Sequence, residues 1–336
     1  MPNLKAAVIG AGAWGTALAD LLARSDHWVE LWAYEPEVAQ AVNEQHANPV
    51  FLPGFTLHDN LRASSDLARV LGGAELVVLV MPSHVFRAVL SQAAGVLPPD
   101  APVVACSKGI EDKTGYTMHQ VAAEVLGEGG HSRLAALSGP SFAKEVAADA
   151  PTAVTVASRE PAVAQAVQAA FAGPRFRVYT SSDVIGVELG GAVKNPLAIA
   201  AGMVAGLKLG HNVMAAMITR GLAEMTRLGL AVGAKPATMA GLAGLGDLVL
   251  TCTGGLSRNR TVGTRLAQGE TIEAITASMR QVAEGVKNTK TVLDLASRHG
   301  VEMPIIEAVR GVLHEGLTPL QALHELMTRE PKPEVY

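Results

Sequence analysis

Cysteine is almost missing from this chain: Cys106 and Cys252 are the only two in 336 residues, and they lie far apart. Their spacing excludes an exported disulfide framework and a thiolate zinc site, so both read as small core residues. Charge is scarce as well. Asp, Glu, Lys and Arg make up 17% of the residues, and the formal net charge is only −4. A chain without a basic excess cannot track nucleic acid by neutralising phosphates, so no nucleic-acid partner is expected. None of the ten histidines falls in an H-E-x-x-H or similar cluster, so no metal site is expected either. An uninterrupted apolar span is missing too. The most apolar stretch, 184–209, contains Glu188, Lys194, Asn195, Pro196 and Lys208, and reads as a buried helix with no membrane span. The N-terminal apolar run 6–9 is too short for a signal-peptide core, and a cytoplasmic location is expected.

Hydrophobic residues, by contrast, make up 49% of the chain, which excludes disorder and suits about two domains at roughly 150 residues each. The first half alternates short apolar or β-branched runs with helix-compatible segments such as 16–23 and 85–94. Strands are predicted at 5–9, 29–32, 75–80, 103–106, 134–137, 153–156 and 175–179. Runs apolar on both faces are what a parallel sheet covered by helices requires. Past about residue 180 no further strand is evident, and Ala, Leu, Met, Glu and Lys recur at helical spacing to about 329. Met203, Met214, Met217 and Met225 read as core filling, and 331–336 as a frayed, Pro-containing tail.

Gly10-Ala11-Gly12-Ala13-Trp14-Gly15 follows the first predicted strand and opens a helix. In a G-x-G-x-x-G turn of this kind the first glycine makes the bend and the second lets backbone approach a pyrophosphate. The third allows tight packing of helix on strand. Amides at the helix start then face the phosphates. Glu35 stands about 20 residues beyond Gly15, just past the second strand, where a carboxylate accepts from an adenine ribose 2′-OH and repels a 2′-phosphate. The expected fold class is therefore α/β: a Rossmann-like N-terminal domain with a mostly parallel sheet, residues 1–180, plus an all-α C-terminal domain, residues 181–336. The expected cofactor is NAD(H) or NADP(H), with NADH bound at least as well as NADPH.

Lys194 lies among apolar neighbours, so it must find an anionic partner, face a cleft or lose its charge. The adjoining Asn195-Pro196 is expected to interrupt the helical ladder locally. Ser107-Lys108-Gly109 and Ser138-Gly139-Pro140-Ser141-Phe142-Ala143 each follow a predicted strand, at the edge where open parallel sheets bind ligands, although both also read as ordinary turns. Gly254-Gly255-Leu256-Ser257-Arg258-Asn259-Arg260 leads into a helical stretch and suits a phosphate or carboxylate; a solvated surface turn is the plain alternative. Asp247, in Gly244-Leu245-Gly246-Asp247, offers a carboxylate or an N-cap. His84, after Met81-Pro82-Ser83, is a candidate for lining the cofactor cleft.

Taken in order, these segments, together with Asn48-Pro49 and Leu52-Pro53-Gly54, resemble the bacterial-type NAD(P)-dependent glycerol-3-phosphate dehydrogenases over nearly the whole chain. The resemblance implies that Lys194 transfers the proton, that Lys108 touches both substrate and cofactor, and that Asp247 completes the catalytic set. It implies that Gly139, Ser141, Asp247, Ser257, Arg258 and Asn259 surround the small-molecule substrate, glycerol 3-phosphate or dihydroxyacetone phosphate. It further implies that Ala13, Trp14, Ala143, Arg258, Val282 and Glu284 line the dinucleotide. Glycerol 3-phosphate made this way would serve glycerophospholipid synthesis. One departure concerns Tyr34, which stands where many members carry a basic residue to hold a 2′-phosphate. A β-hydroxyacid dehydrogenase of the same two-domain plan remains an alternative, as does a non-catalytic NAD(H)-binding redox sensor. The apolar helices of the second domain are candidates for pairing two subunits in a homodimer.

Overall fold

Runs such as Val77-Val78-Leu79 bury every side chain and need cover on both faces. The computed structural model, which describes residues 3–279 and 283–334, provides that cover with helices on both sides of one eight-stranded sheet. The strands are β1 Lys5–Ile9, β2 Trp28–Trp32, β3 Leu61–Ser64, β4 Leu76–Leu79, β5 Val103–Ala105, β6 Leu134–Ser138, β7 Thr152–Ala157 and β8 Phe176–Ser181. Their order across the sheet is β3-β2-β1-β4-β5-β6-β7-β8. Every neighbouring pair is parallel except β6 and β7, so β7 and β8 run against the other six. The order reverses between β1 and β4, the place where open α/β sheets leave a crevice at their carboxyl ends.

Seven strands lie where the sequence predicts them. β3 was not expected. It is a four-residue edge strand that buries Leu61 and Ala63 and turns Arg62 outward, too short and too polar to stand out as a run.

Beyond β8 the described chain is helical. Its centre is the helix Val184–Gly206, hereafter the central helix, which buries 20 of its 23 residues among the helices packed around it. It is long and apolar enough by composition to cross a membrane, yet 94% of its most apolar window is buried inside the protein. The sequence predicts a break at Asn195-Pro196, and the structure corrects this: Pro196 sits inside a continuous helix. Proline removes only the bond to the Ala192 carbonyl, and dense packing on all sides holds the backbone in place.

The central helix crosses the helix Arg258–Ala267 at backbone contact. A Cβ on Gly202 would stand 2.0 Å from the Arg260 carbonyl oxygen, and one on Gly263 would stand 1.9 Å from that of Ile199. Only glycine at both positions permits this crossing, which brings the start of the second helix beside Asn195. Met203, Met217 and Met225 are buried in this core, and both cysteines are buried and unpaired. Residues 331–334 form no helix or strand, but Arg220 donates to the Glu334 carbonyl at 3.3 Å, so the described part of the tail is tied down.

Candidate active site

The Gly-rich turn leaves β1 and enters the helix Ala13–Arg24, here α1. Gly10 has φ +118°, and a Cβ there would lie 2.9 Å from the Val80 carbonyl oxygen; a Cβ on Gly15 would lie 1.8 Å from that of Gly10. A Cβ on Gly12 would meet no atom within 4 Å. The outer two glycines therefore serve close packing, and the middle one faces open space. No side chain caps α1, so its first amides point outward, and the Trp14 indole N–H is buried without a partner. Uncapped amides, an open glycine and an orphaned donor fit the pyrophosphate of a dinucleotide.

Glu35 lies at the end of β2, next to this turn, and its side chain does not cap the helix Pro36–Gln45 that follows, hereafter α2. Tyr34 projects into solvent, 77% exposed, its ring set edge-on to that of Trp32 with the ring centres 6.3 Å apart. Ala143 opens a short helix packed on α1. Val282 lies outside the described residues. Glu284 reaches across to β4's carboxyl end, where its Oε1 accepts from the Ser83 amide at 3.3 Å. Burial pushes its carboxyl above the usual range, opposed by that amide and by the charges of Arg258, Lys194 and Lys108. His84, one residue on, is exposed, and the partial burial of its side chain, together with the Lys287 charge, lowers its pKa.

The three chemical residues meet. Lys108 follows β5, and its ammonium donates to Asp247 Oδ2 at 2.7 Å and to the Gly139 carbonyl at 3.1 Å. Lys194, from the middle of the central helix, donates to Asp247 Oδ1. A single buried carboxylate thus serves two ammonium groups, one oxygen each. Gly191, one turn before Lys194, leaves room for the Lys108 stem: a Cβ there would lie 3.3 Å from Lys108 Cγ. Burial pushes the Lys194 amine down to about 7; Asp247 opposes the shift and the Lys108 charge adds to it. The capping alternative for Asp247 fails. A π-helical turn, Leu242–Gly246, precedes the helix Asp247–Thr253, the cap position belongs to Gly246, and the Asp247 carboxylate turns inward to the lysines.

Ser141 Oγ donates to the same Gly139 carbonyl at 3.0 Å. Ser257 caps the helix Arg258–Ala267, its Oγ accepting from the Arg260 amide at 3.2 Å. Asn259 Nδ2 donates to Asn195 Oδ1 at 3.0 Å, and its Oδ1 accepts from the Gly285 amide at 3.0 Å. One Nδ2 hydrogen is left for a ligand. Arg258 is exposed on the first turn and interacts electrostatically with Glu284. Residue patterns alone assign no role to Asn195 or Thr251. Asn195 positions Asn259, and Thr251 Oγ1 lies 3.4 Å from Asp247 Oδ1. Their signal was position alone, one residue after Lys194 and one helical turn after Asp247.

Residues 5–164 match the model of the NAD-dependent glycerol-3-phosphate dehydrogenase N-terminus, and residues 183–324 match that of its C-terminus. The chain belongs to this family. A protein of Geobacter sp. (strain M21) named glycerol-3-phosphate dehydrogenase (NAD(P)+) is 54% identical over 330 residues, covering 98% of each chain. One of the same name from Geobacter sulfurreducens is 56% identical over 327 residues, covering 97% of this chain and 98% of its own. The crystal structure of glycerol-3-phosphate dehydrogenase from Coxiella burnetii superposes with a TM-score of 0.93 at 43% identity, covering 97% of this chain and 99% of that one. Membership in this dehydrogenase family accounts for a Gly-rich turn at the end of β1 in the same chain as a buried carboxylate that pairs two lysines.

Proposed function

We propose that the protein catalyses the reversible reduction of dihydroxyacetone phosphate to glycerol 3-phosphate with NAD(P)H. The reaction takes place between two domains, residues 1–180 and 181–336. The observation that carries this reading is the pair of ammonium groups on one buried carboxylate, Lys108 from the sheet edge and Lys194 from the central helix.

Gly12, Ala13, Trp14, Ala143, Arg258 and Glu284 hold the dinucleotide, Gly10 and Gly15 shape the turn that receives it, and Tyr34 and Glu35 stand at its adenine end. When bound, its nicotinamide supplies or accepts the hydride at C2 of the substrate. Lys194 handles the proton. In reduction its ammonium donates to the substrate oxygen; in oxidation its amine takes the hydroxyl proton. An amine brought down to about 7 serves both directions near neutral pH. Lys108 sets a second positive charge beside the same oxygen and stabilises its developing negative charge. Asp247 keeps the two cations together. At an effective dielectric near 20, unit charges about 4 Å apart interact by roughly 4 kcal/mol, enough to offset most of their repulsion.

Ser257, Arg258, Asn259 and the first amides of their helix hold the phosphate, with Gly139 and Ser141 on the facing wall; that grip fixes the ketone carbon for reaction. The Glu35 carboxylate and the absence of a basic residue at position 34 support binding NADH at least as well as NADPH. The same reading supplies glycerol 3-phosphate to glycerophospholipid synthesis in the cytoplasm. It also includes a homodimer formed through the helix His211–Ala231, whose Val213, Met214 and Ile218 are only partly covered.

A hydroxyacid substrate, or signalling without turnover, draws no support from the family match. The test is an assay of nicotinamide absorbance with dihydroxyacetone phosphate and a panel of hydroxyacids, each with NADH and NADPH. Oxidation driven by dihydroxyacetone phosphate supports the reading. Turnover with hydroxyacids only, or none at all, overturns it.

A further inference from the structure

The segment between α2 and β3, residues 46–60, contains Asn48-Pro49 and Leu52-Pro53-Gly54 and takes no part in the chemistry above. We infer that Asn48 is a positioning residue that aims the Gly12 amide at the dinucleotide pyrophosphate.

Asn48 is fully buried. Its Nδ2 donates to the Ala11 carbonyl at 2.8 Å and to Thr16 Oγ1 at 2.9 Å, and its Oδ1 accepts from the Phe51 amide at 3.0 Å. Thr16 Oγ1 donates to the same Ala11 carbonyl at 3.1 Å. The middle residue of Gly10-Ala11-Gly12 therefore has its carbonyl held from inside by two donors.

In a trans peptide the carbonyl of one residue and the N–H of the next point in opposite directions. Fixing the Ala11 carbonyl inward turns the Gly12 N–H outward, toward the side where a Cβ on Gly12 would meet nothing. A second clasp, further along α1, keeps the segment in place. Buried Asp20 accepts from the His58 amide at 2.8 Å and pairs with Arg24 at 2.9 Å. The segment is thus fastened to α1 at both ends, and Asn48 is the end that touches the turn. Without its amide, the Ala11 carbonyl keeps only the longer bond from Thr16 Oγ1, so the Ala11–Gly12 peptide is held less tightly and part of its order must be regained each time a pyrophosphate binds.

The inference rests on the dinucleotide reading, so the experiment measures ligands that separate the two. ADP carries the pyrophosphate, adenosine does not, and binding of each to wild type, Asn48→Asp and Asn48→Ala is measured by calorimetry. Asn48→Asp keeps the acceptor for the Phe51 amide but replaces the Nδ2 donor with a carboxylate oxygen set against the Ala11 carbonyl; Asn48→Ala removes both the Nδ2 donor and the Oδ1 acceptor. Expected are about tenfold weaker ADP binding in either variant and adenosine binding within twofold of wild type. Turnover at saturating NADH should stay close to wild type while its KM rises. Equal losses for ADP and adenosine would show general damage to the fold, and unchanged ADP binding would show a slack brace; either overturns the assignment. If neither substitution at position 48 folds, Thr16→Val, which removes the second donor to Ala11, is measured in the same way and decides by the same outcomes. A wild type that binds neither ligand would instead sink the dinucleotide reading itself.

Discussion

Lys108 Nζ lies 2.7 Å from Asp247 Oδ2 across a sequence separation of 139 residues. This contact fastens the ligand edge of the sheet to the helical region, and Lys194 completes it on the other carboxylate oxygen. With the Asp247 side chain 1% exposed, the group is shielded from salt in a way that surface ion pairs are not.

Lys194→Ala should lower turnover by roughly two to four orders of magnitude, the range for loss of a general acid or base. NADH affinity should stay within twofold, because Lys194 sits on the substrate side. Steady-state kinetics with a parallel fluorescence titration of NADH checks both. Turnover near that of wild type would remove Lys194 from the proton's path.

The two directions should respond oppositely to pH. Reduction needs the Lys194 ammonium, so its rate falls as pH rises through about 7; oxidation needs the free amine, so its rate rises through the same region. The Asp247 charge favours the ammonium, so Asp247→Asn should move both limbs to lower pH. Rate profiles for both directions in wild type and variant decide this. A shift to higher pH would contradict the arrangement.

Arg258→Ala should raise the KM for dihydroxyacetone phosphate at least tenfold, the scale for losing a charge-assisted hydrogen bond to phosphate, and lower turnover much less. An unchanged KM would move the phosphate site away from the helix Arg258–Ala267.

Gly202→Ala forces a Cβ to within 2.0 Å of the Arg260 carbonyl oxygen, and backbone has no soft end to yield. The helices must part, at roughly 1–3 kcal/mol. Urea unfolding should show an earlier midpoint, and the KM for dihydroxyacetone phosphate should rise as Ser257, Arg258 and Asn259 shift. Gly173→Ala, where a Cβ meets nothing within 4 Å, is the control and should leave both unchanged.

Much of this architecture was legible in the residues. Strands apolar on both faces, such as Val77-Val78-Leu79, announce themselves as runs, and the glycine spacing at 10, 12 and 15 states its own conformational demands. β3 escaped notice because an edge strand buries only one face, leaving Leu61 and Ala63 separated by Arg62. The break expected at Pro196 rested on local propensity, which the packing around the central helix overrides. For the site, strand ends and a Gly-rich turn marked Lys108, Gly139, Ser141 and Arg258. Asn195 and Thr251 gave no sign, since a polar residue inside a helix has no pattern that separates ligand contact from a satisfied core group.

By itself the sequence determined seven of the eight strands, the helical character of the second half, a glycine turn fit for a pyrophosphate, and that a lysine in an apolar helix must find an anion. These follow from local periodicity, backbone sterics and the cost of burying a charge. Only the tertiary structure decided that Asp247 is that anion, that Lys108 shares it, and that Asn48 reaches back to the Ala11 carbonyl. Those pairings depend on where a folded sheet edge and a helix crossing place side chains 53 and 139 residues apart, or on how a loop folds back onto α1, and no spacing along the chain encodes that.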